Sequence, residues 1–203
     1  MTQLTARQLQ PGDVMLKLNS GNITNQLIAL GQRLSGQANA QVTHAGLMFD
    51  SNYIVEAQGS GIEAHDVRVQ NAQLGYIVFR ARNQRLAQGA GTCAKMMFDI
   101  QGRHQTMKYN LSGAVKSLFG SGRARSAASM DDLLTDVLSG KGHPFFCSQL
   151  VVYVYQFVAE QNGIRGSQIF QEHDAKVSPA TLASMLASNS NFTEVGYMLP
   201  GAR

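Results

Sequence analysis

Hydrophobic residues cluster along the chain in short runs bounded by turn residues, which is typical of strands. The predicted strands are Val14–Leu18, Val42–Phe49, Tyr53–Ala57, Gly61–Val69, Tyr76–Ala81 and Phe192–Met198. Turns at Asp50–Asn52 and Gln58–Gly61 predict hairpins between consecutive strands. We therefore expect the four strands from Val42 to Ala81 to form an antiparallel meander.

Other hydrophobic positions recur at helical spacing. The predicted helices cover residues 22–34, 84–100, 130–138, 146–161 and 178–187. Asn162-Gly163 is typical of a helix C-cap, and Ser178-Pro179 of a helix start. Between the predicted helices 84–100 and 130–138, residues 112–129 are rich in Gly, Ser, Ala and Arg. This composition predicts a mobile surface loop outside the core, which could act as a lid.

The strand-rich block Val42–Ala81, followed by the apolar helix at residues 146–161, predicts an α+β fold. An antiparallel sheet of five or six strands should pack against the helix at residues 146–161. A length of 203 residues favours one domain spanning 1–203, with residues 83–142 as a helical insertion that contains the loop.

Charge and composition limit the partners. The formal net charge of +4 permits contact with anionic surfaces but selects none of them. Because no dense basic face with interleaved aromatic residues is evident, we expect no nucleic-acid partner. No run approaches the 18 apolar residues that a membrane span needs.

Only Cys93 and Cys147 can form disulfides, so this is not a disulfide scaffold. The N-terminal residues lack the apolar core of a signal peptide. We therefore expect a cytoplasmic protein, or one exported by a leaderless route that acts in the periplasm of a target cell.

Candidate chemistry centres on Cys147, which follows two phenylalanines and opens an apolar helical run. A helix N-terminus stabilises a thiolate through its dipole and supplies unpaired N–H groups for an oxyanion. A candidate base, His44, lies far upstream in the strand-like segment Thr43–Gly46. This separation between thiol and base is common in cysteine hydrolases.

Each candidate also has a structural interpretation. Cys147 fits an inert buried thiol, and His44 fits a hydrogen-bonded core histidine. Glu56 is a charge in the otherwise apolar strand Tyr53–Ala57, where it either needs a partner or faces solvent. The Gly12-Asp13 pair fits a structural turn better than a catalytic element, and Cys93 fits helix packing.

Four blocks together resemble a known family. They are Gly12-Asp13-Val14, Thr43-His44-Ala45-Gly46, Ile54-Val55-Glu56-Ala57 and Phe146-Cys147-Ser148-Gln149-Leu150-Val151. Their order is similar to that in the circularly permuted NlpC-type (YiiX-like) cysteine hydrolases, whose fold is papain-like with the histidine-bearing strands before the cysteine helix. The resemblance has no counterpart for most of the segment from Ala81 to Gly142.

The resemblance implies a role for each matching residue. Cys147 would be the nucleophile, His44 the base and Glu56 the group that orients its imidazole. Backbone N–H groups of Cys147 and Ser148 would hold the oxyanion. His143, close to the thiol in sequence, is a possible accessory residue.

The other histidines suggest no cofactor. His65, His104, His143 and His173 lack metal-ligand spacing, and no phosphate-binding glycine motif is present. We therefore expect neither a metal nor a cofactor.

The resemblance implies an amide hydrolase acting on peptides, foremost the stem peptides of peptidoglycan. With the basic charge and absent leader, that suits an antibacterial toxin with a secretion or immunity partner. A lipid acyl hydrolase or acyltransferase, similar to lecithin:retinol acyltransferase, is the alternative.

Overall fold

An antiparallel sheet with helices packed on it forms the framework of the protein. The computed structural model describes residues 1–18, 42–58, 61–103, 147–172, 177 and 179–202. In these residues the strands are β1 (Val14–Leu18), β2 (Val42–Met48), β3 (Tyr53–Gln58), β4 (Gly61–Asp66), β5 (Tyr76–Ala81) and β6 (Phe192–Met198). The helices are α1 (Gln84–Arg103), α2 (Cys147–Gln161), α3 (Gly166–Ile169) and α4 (Pro179–Ser188).

The six strands lie in the order β4-β3-β2-β1-β5-β6, and every pairing between them is antiparallel. β2, β3 and β4 form the expected meander, but β5 pairs with β1 instead of β4. The predicted four-strand meander is therefore wrong at its last strand. Five of the six β5 residues are buried, whereas β4 is mostly half-exposed, so β5 suits an interior position and β4 an edge.

The two faces of the sheet contribute to different cores. Val14 and Leu16 of β1 and Leu47 of β2 point to the helix side, where α1, α2 and α4 pack. Met15 and Met48 lie on the other face, in a smaller core. Helix α2 has buried residues on every side, as expected for a helix enclosed by other elements.

The Gly12-Asp13 turn joins several elements. Asp13 is fully buried and receives two hydrogen bonds from the Arg80 guanidinium on β5, each 2.7 Å long. The Tyr155 hydroxyl of α2 donates to the Gly12 carbonyl. Gly12 has a φ of +83°, and a Cβ here would lie 2.1 Å from the carbonyl oxygen of Ala87. This geometry agrees with the predicted structural turn.

Most predicted boundaries agree with the structure to within a few residues. The fourth strand ends at Asp66 instead of Val69, because the Asp66 carboxylate accepts a hydrogen bond from the Arg68 amide and starts a turn. Gly163, with a φ of +74°, ends α2 as predicted. The short helix α3 was not predicted.

Several predictions fall outside the described residues, namely the helices at 22–34 and 130–138, the 112–129 loop, and Ser178 as a cap. Of the predicted insertion 83–142, the structure describes α1, whose Leu86, Ala90 and Met97 belong to the helix-side core. Among the described helices, none combines the length and apolarity needed to cross a membrane.

Candidate active site

His44 and Glu56 lie on neighbouring strands and point to the same face of the sheet. Gly46 on β2 is paired with Glu56 on β3, and His44 is two residues before Gly46. Since side chains alternate along a strand, His44 and Glu56 are diagonal neighbours on one face. His44 Nε2 lies 3.3 Å from Glu56 Oε1.

Gly46 makes room for this contact. A Cβ at position 46 would lie 2.7 Å from the Ile54 side chain and 2.8 Å from Glu56 Cγ. Both distances are shorter than real Cβ contacts, so any side chain here would displace Glu56 or its neighbour. The small residue therefore lets the carboxylate lie over β2 and reach His44.

Cys147 comes to this pair from the helix layer. It is the first residue of α2, is 6% exposed, and its side chain interacts with His44. The pairing of β2 with β3 ends at Gly46 and Glu56, so no β3 residue is paired with His44. With Nε2 of His44 facing Glu56, the ring nitrogen left for the thiol is Nδ1.

Ser148, the second residue of α2, fixes the first turn of this helix. The Ser148 hydroxyl is fully buried and donates a 2.5 Å hydrogen bond to the Val177 carbonyl. The backbone N–H groups of a helix's first turn have no partner within the helix. Those of Cys147 and Ser148 are thus positioned beside the thiol as potential oxyanion donors.

Electrostatics favour a charged His44. Burial by itself would lower its pKa, but hydrogen bonding to Cys147 and the close negative charge of Glu56 outweigh burial and raise the pKa to about 9. Burial also opposes ionisation of Glu56, yet His44, Asn71 and His65 hold the pKa of Glu56 below its usual value. At neutral pH this environment favours an imidazolium beside a carboxylate.

The His44–Glu56 contact is an ion pair that does not meet the geometry of a hydrogen bond. Nε2 is buried and forms no well-aligned hydrogen bond with any residue in the described ranges, although Glu56 Oε1 is within reach. The two side chains therefore interact through their opposite charges.

Sequence reasoning missed two partners of Glu56. His65 Nδ1 lies 3.1 Å from Glu56 Oε2, and the Asn71 amide donates to the same oxygen over 3.0 Å. Asn71 also donates to the buried Tyr76 hydroxyl over 3.0 Å. The alternation of side chains along the strands could have identified His65. It is paired with Ile54, two residues before Glu56, and so lies on the same face as Glu56. Asn71 lies in the turn before β5, where no periodicity applies.

The structure thus brings together Cys147, His44 and Glu56, with Ser148 adjacent, while His143 lies outside the described residues. Within the described ranges, no group of three or more His, Cys, Asp or Glu side chains is arranged to hold a metal ion. No protein-family model matches the chain, and none of the curated proteins matches it.

Proposed function

We propose that this protein is a cysteine hydrolase in which Cys147 is the nucleophile, His44 the acid–base residue and Glu56 the group that orients His44. The observation that carries the proposal is one interaction: a thiol at a helix start that interacts with an imidazole backed by a buried carboxylate. Nucleophile, base and orienting group are the three parts that this chemistry requires.

The mechanism follows from these positions. The Cys147 thiolate attacks a carbonyl carbon, and the N–H groups of Cys147 and Ser148 stabilise the oxyanion. The His44 imidazolium gives its proton to the leaving amine, which leaves a thioester on Cys147. A water molecule then loses a proton to His44 and attacks the thioester, which releases the acid and restores the Cys147 thiolate beside the His44 imidazolium.

The substrate class rests on the resemblance of the sequence blocks to the permuted NlpC-type hydrolases. It points to amide bonds in peptides, foremost peptidoglycan stem peptides. The size and basic charge of the chain also suit an antibacterial effector. The resemblance also supports a permuted papain-like arrangement, with which the α+β architecture is compatible. The net charge of +4 suits an anionic cell-wall or lipid surface.

The test is incubation of purified muropeptides with the wild-type protein and with Cys147→Ala, followed by mass spectrometry. We expect a new pair of fragments with the wild type alone, whose masses identify the cleaved bond. Cys93→Ala is the matched control, because it removes the other cysteine and should leave cleavage intact.

A parallel incubation with phospholipid vesicles tests the lipid alternative. Release of fatty acid, or its transfer to an acceptor, with muropeptides left intact would favour the acyl hydrolase or acyltransferase. If Cys147→Ala retained full activity on whichever substrate is cleaved, the cysteine mechanism would be wrong.

A further inference from the structure

The two oxygens of the Glu56 carboxylate have separate partners. Oε1 faces His44, while Oε2 accepts hydrogen bonds from His65 and Asn71. Glu56 is 3% exposed, so water contributes little to its solvation. A buried carboxylate needs such donors, and their directions fix the rotation of the carboxylate plane.

His65 lies near a carboxylate at each end of its ring. It lies on β4 and shares the face of Glu56, with Nδ1 3.1 Å from Glu56 Oε2. Its Nε2 lies 3.4 Å from Glu63 Oε2. Glu63 is paired directly with Glu56 across the two strands, an arrangement that brings like charges together. The His65 ring contacts both carboxylates and is therefore well placed to relieve that repulsion.

Asn71 does not duplicate this contact. The two N–H bonds of its amide are divided between Glu56 and the Tyr76 hydroxyl. Asn71 lies in the turn before β5, and Tyr76 is the first residue of that strand. His65 is the donor to Oε2 that comes from the strand next to β3.

We propose that His65 is a positioning residue of the active site, whose Nδ1–H holds Glu56 Oε2 so that Oε1 remains directed at His44. The inference rests on the proposed hydrolase function, since it assigns a role relative to Cys147 and His44. His44 on β2 would then be oriented by Glu56 on β3, and Glu56 would be held in turn by His65 on β4.

Two substitutions of His65 separate the hydrogen bond from simple packing. In His65→Asn the amide nitrogen takes the place of Nδ1, so the donor to Glu56 is retained. His65→Leu keeps a similar volume and removes the donor, and His65→Ala is a second donor-free variant should the leucine variant not fold. Glu63→Gln is the matched control, because it changes the partner of Nε2 and leaves the contact of Nδ1 with Glu56.

With the substrate identified by the muropeptide or lipid assay, we expect His65→Leu to lower kcat with KM unchanged. The expected loss is about 10- to 100-fold, by analogy with removal of the partners that orient metal-bound histidines. His65→Asn should recover most of kcat, and Glu63→Gln should retain it. Equal losses in the asparagine and leucine variants, or no loss in the leucine variant, would overturn the inference.

Two further readouts need no substrate. The rate of Cys147 alkylation by iodoacetamide at pH 6 should fall in His65→Leu and be restored in His65→Asn. NMR titration of the labelled His44 ring should show a pKa that falls in His65→Leu alone. If these readouts change while no substrate is turned over, the positioning role stands and the hydrolase proposal fails; unchanged readouts beside Cys147-dependent turnover overturn only the positioning role.

Discussion

At the scale of single residues, the two cysteines provide an internal comparison. Both are buried, but Cys93 is surrounded by hydrophobic residues of the core, and burial raises its pKa to about 12. Cys147 instead interacts with His44. We expect iodoacetamide at neutral pH to alkylate Cys147 rapidly and Cys93 slowly, because the thiolate is the reactive species. Peptide mapping by mass spectrometry measures both rates in one sample.

Cys93→Ala is the control for that experiment and should leave the Cys147 rate unchanged. His44→Ala should reduce alkylation of Cys147 near pH 6, because the imidazolium that stabilises the thiolate is absent. It should also lower kcat by about 10²- to 10⁴-fold, the usual contribution of a general acid–base group. Equal labelling of the two cysteines in the wild type would contradict the assignment of the nucleophile.

The raised pKa of His44 predicts the alkaline side of the pH profile. The imidazolium should persist up to pH about 9 and then lose the proton that the leaving group requires. We therefore expect kcat/KM to fall above pH about 9 instead of above the ordinary histidine value of 6.5. Steady-state kinetics from pH 5 to 10 measure the midpoint of this decline, and a midpoint near 6.5 would contradict the assigned environment.

Protonation of His44 also affects the stability of the fold. The pKa of His44 in the folded protein exceeds the value of 6.5 expected in the unfolded chain. The stabilisation is therefore complete below pH 6.5 and is lost as the pH rises through about 9.

Glu56→Gln should have a smaller effect than His44→Ala. The amide keeps the shape of the side chain but removes the charge that favours the imidazolium, while the base remains. We expect the alkaline decline in kcat/KM to move to lower pH. A decline that stayed near pH 9 in this variant would show that Glu56 does not set the pKa of His44.

At the scale of elements, Gly46 on β2 leaves room for Glu56 on β3 to reach His44, the proposed base. We expect Gly46→Ala to reduce activity, because the added Cβ would lie 2.8 Å from Glu56 Cγ and displace the carboxylate from His44. Kinetics together with circular dichroism check whether activity falls in a folded protein. Thr43→Ala, an exposed change on the same strand, is the control and should leave kcat unchanged.

The strands also show which features hydrophobic periodicity is sufficient to predict. Hydrophobic patterning alone placed Val14–Leu18, Tyr76–Ala81 and Phe192–Met198 with the boundaries that the structure has. It failed for the pairing of β5, because alternation within a strand identifies a buried face but not the neighbouring strand.

At the scale of the whole molecule, the Asp13–Arg80 pair connects the sheet to its N-terminal turn. Burial raises the pKa of Asp13 even though the Arg80 guanidinium opposes that shift. We expect Asp13→Ala to lower the free energy of unfolding by about 1–3 kcal/mol, the usual cost of leaving polar groups without their buried partner, because Arg80 is 24% exposed and water can solvate part of its charge. Urea unfolding followed by circular dichroism measures the change.

Asp99→Asn is the matched control, since Asp99 pairs with Lys95 one helical turn away at the surface of α1. This substitution should cost less than about 1 kcal/mol. Equal losses for the two variants would show that the Gly12-Asp13 turn contributes no more than an ordinary surface pair.

The sequence by itself determined the local features: strand and helix boundaries, the Gly12-Asp13 turn, and three residues with the chemistry of a thiol hydrolase. Each depends on properties that neighbouring residues carry, such as side-chain alternation, turn conformation and the intrinsic reactivity of Cys, His and Glu. The α+β class followed from the same information.

Only the tertiary structure decided which of these groups meet. Three contacts join residues that are distant in sequence. They are the contact of Cys147 with His44, the hydrogen bonds of His65 and Asn71 to one oxygen of Glu56, and the pairing of β5 with β1. Such contacts are set by strand register and by how the helices pack on the sheet, and no local pattern of residues encodes either by itself.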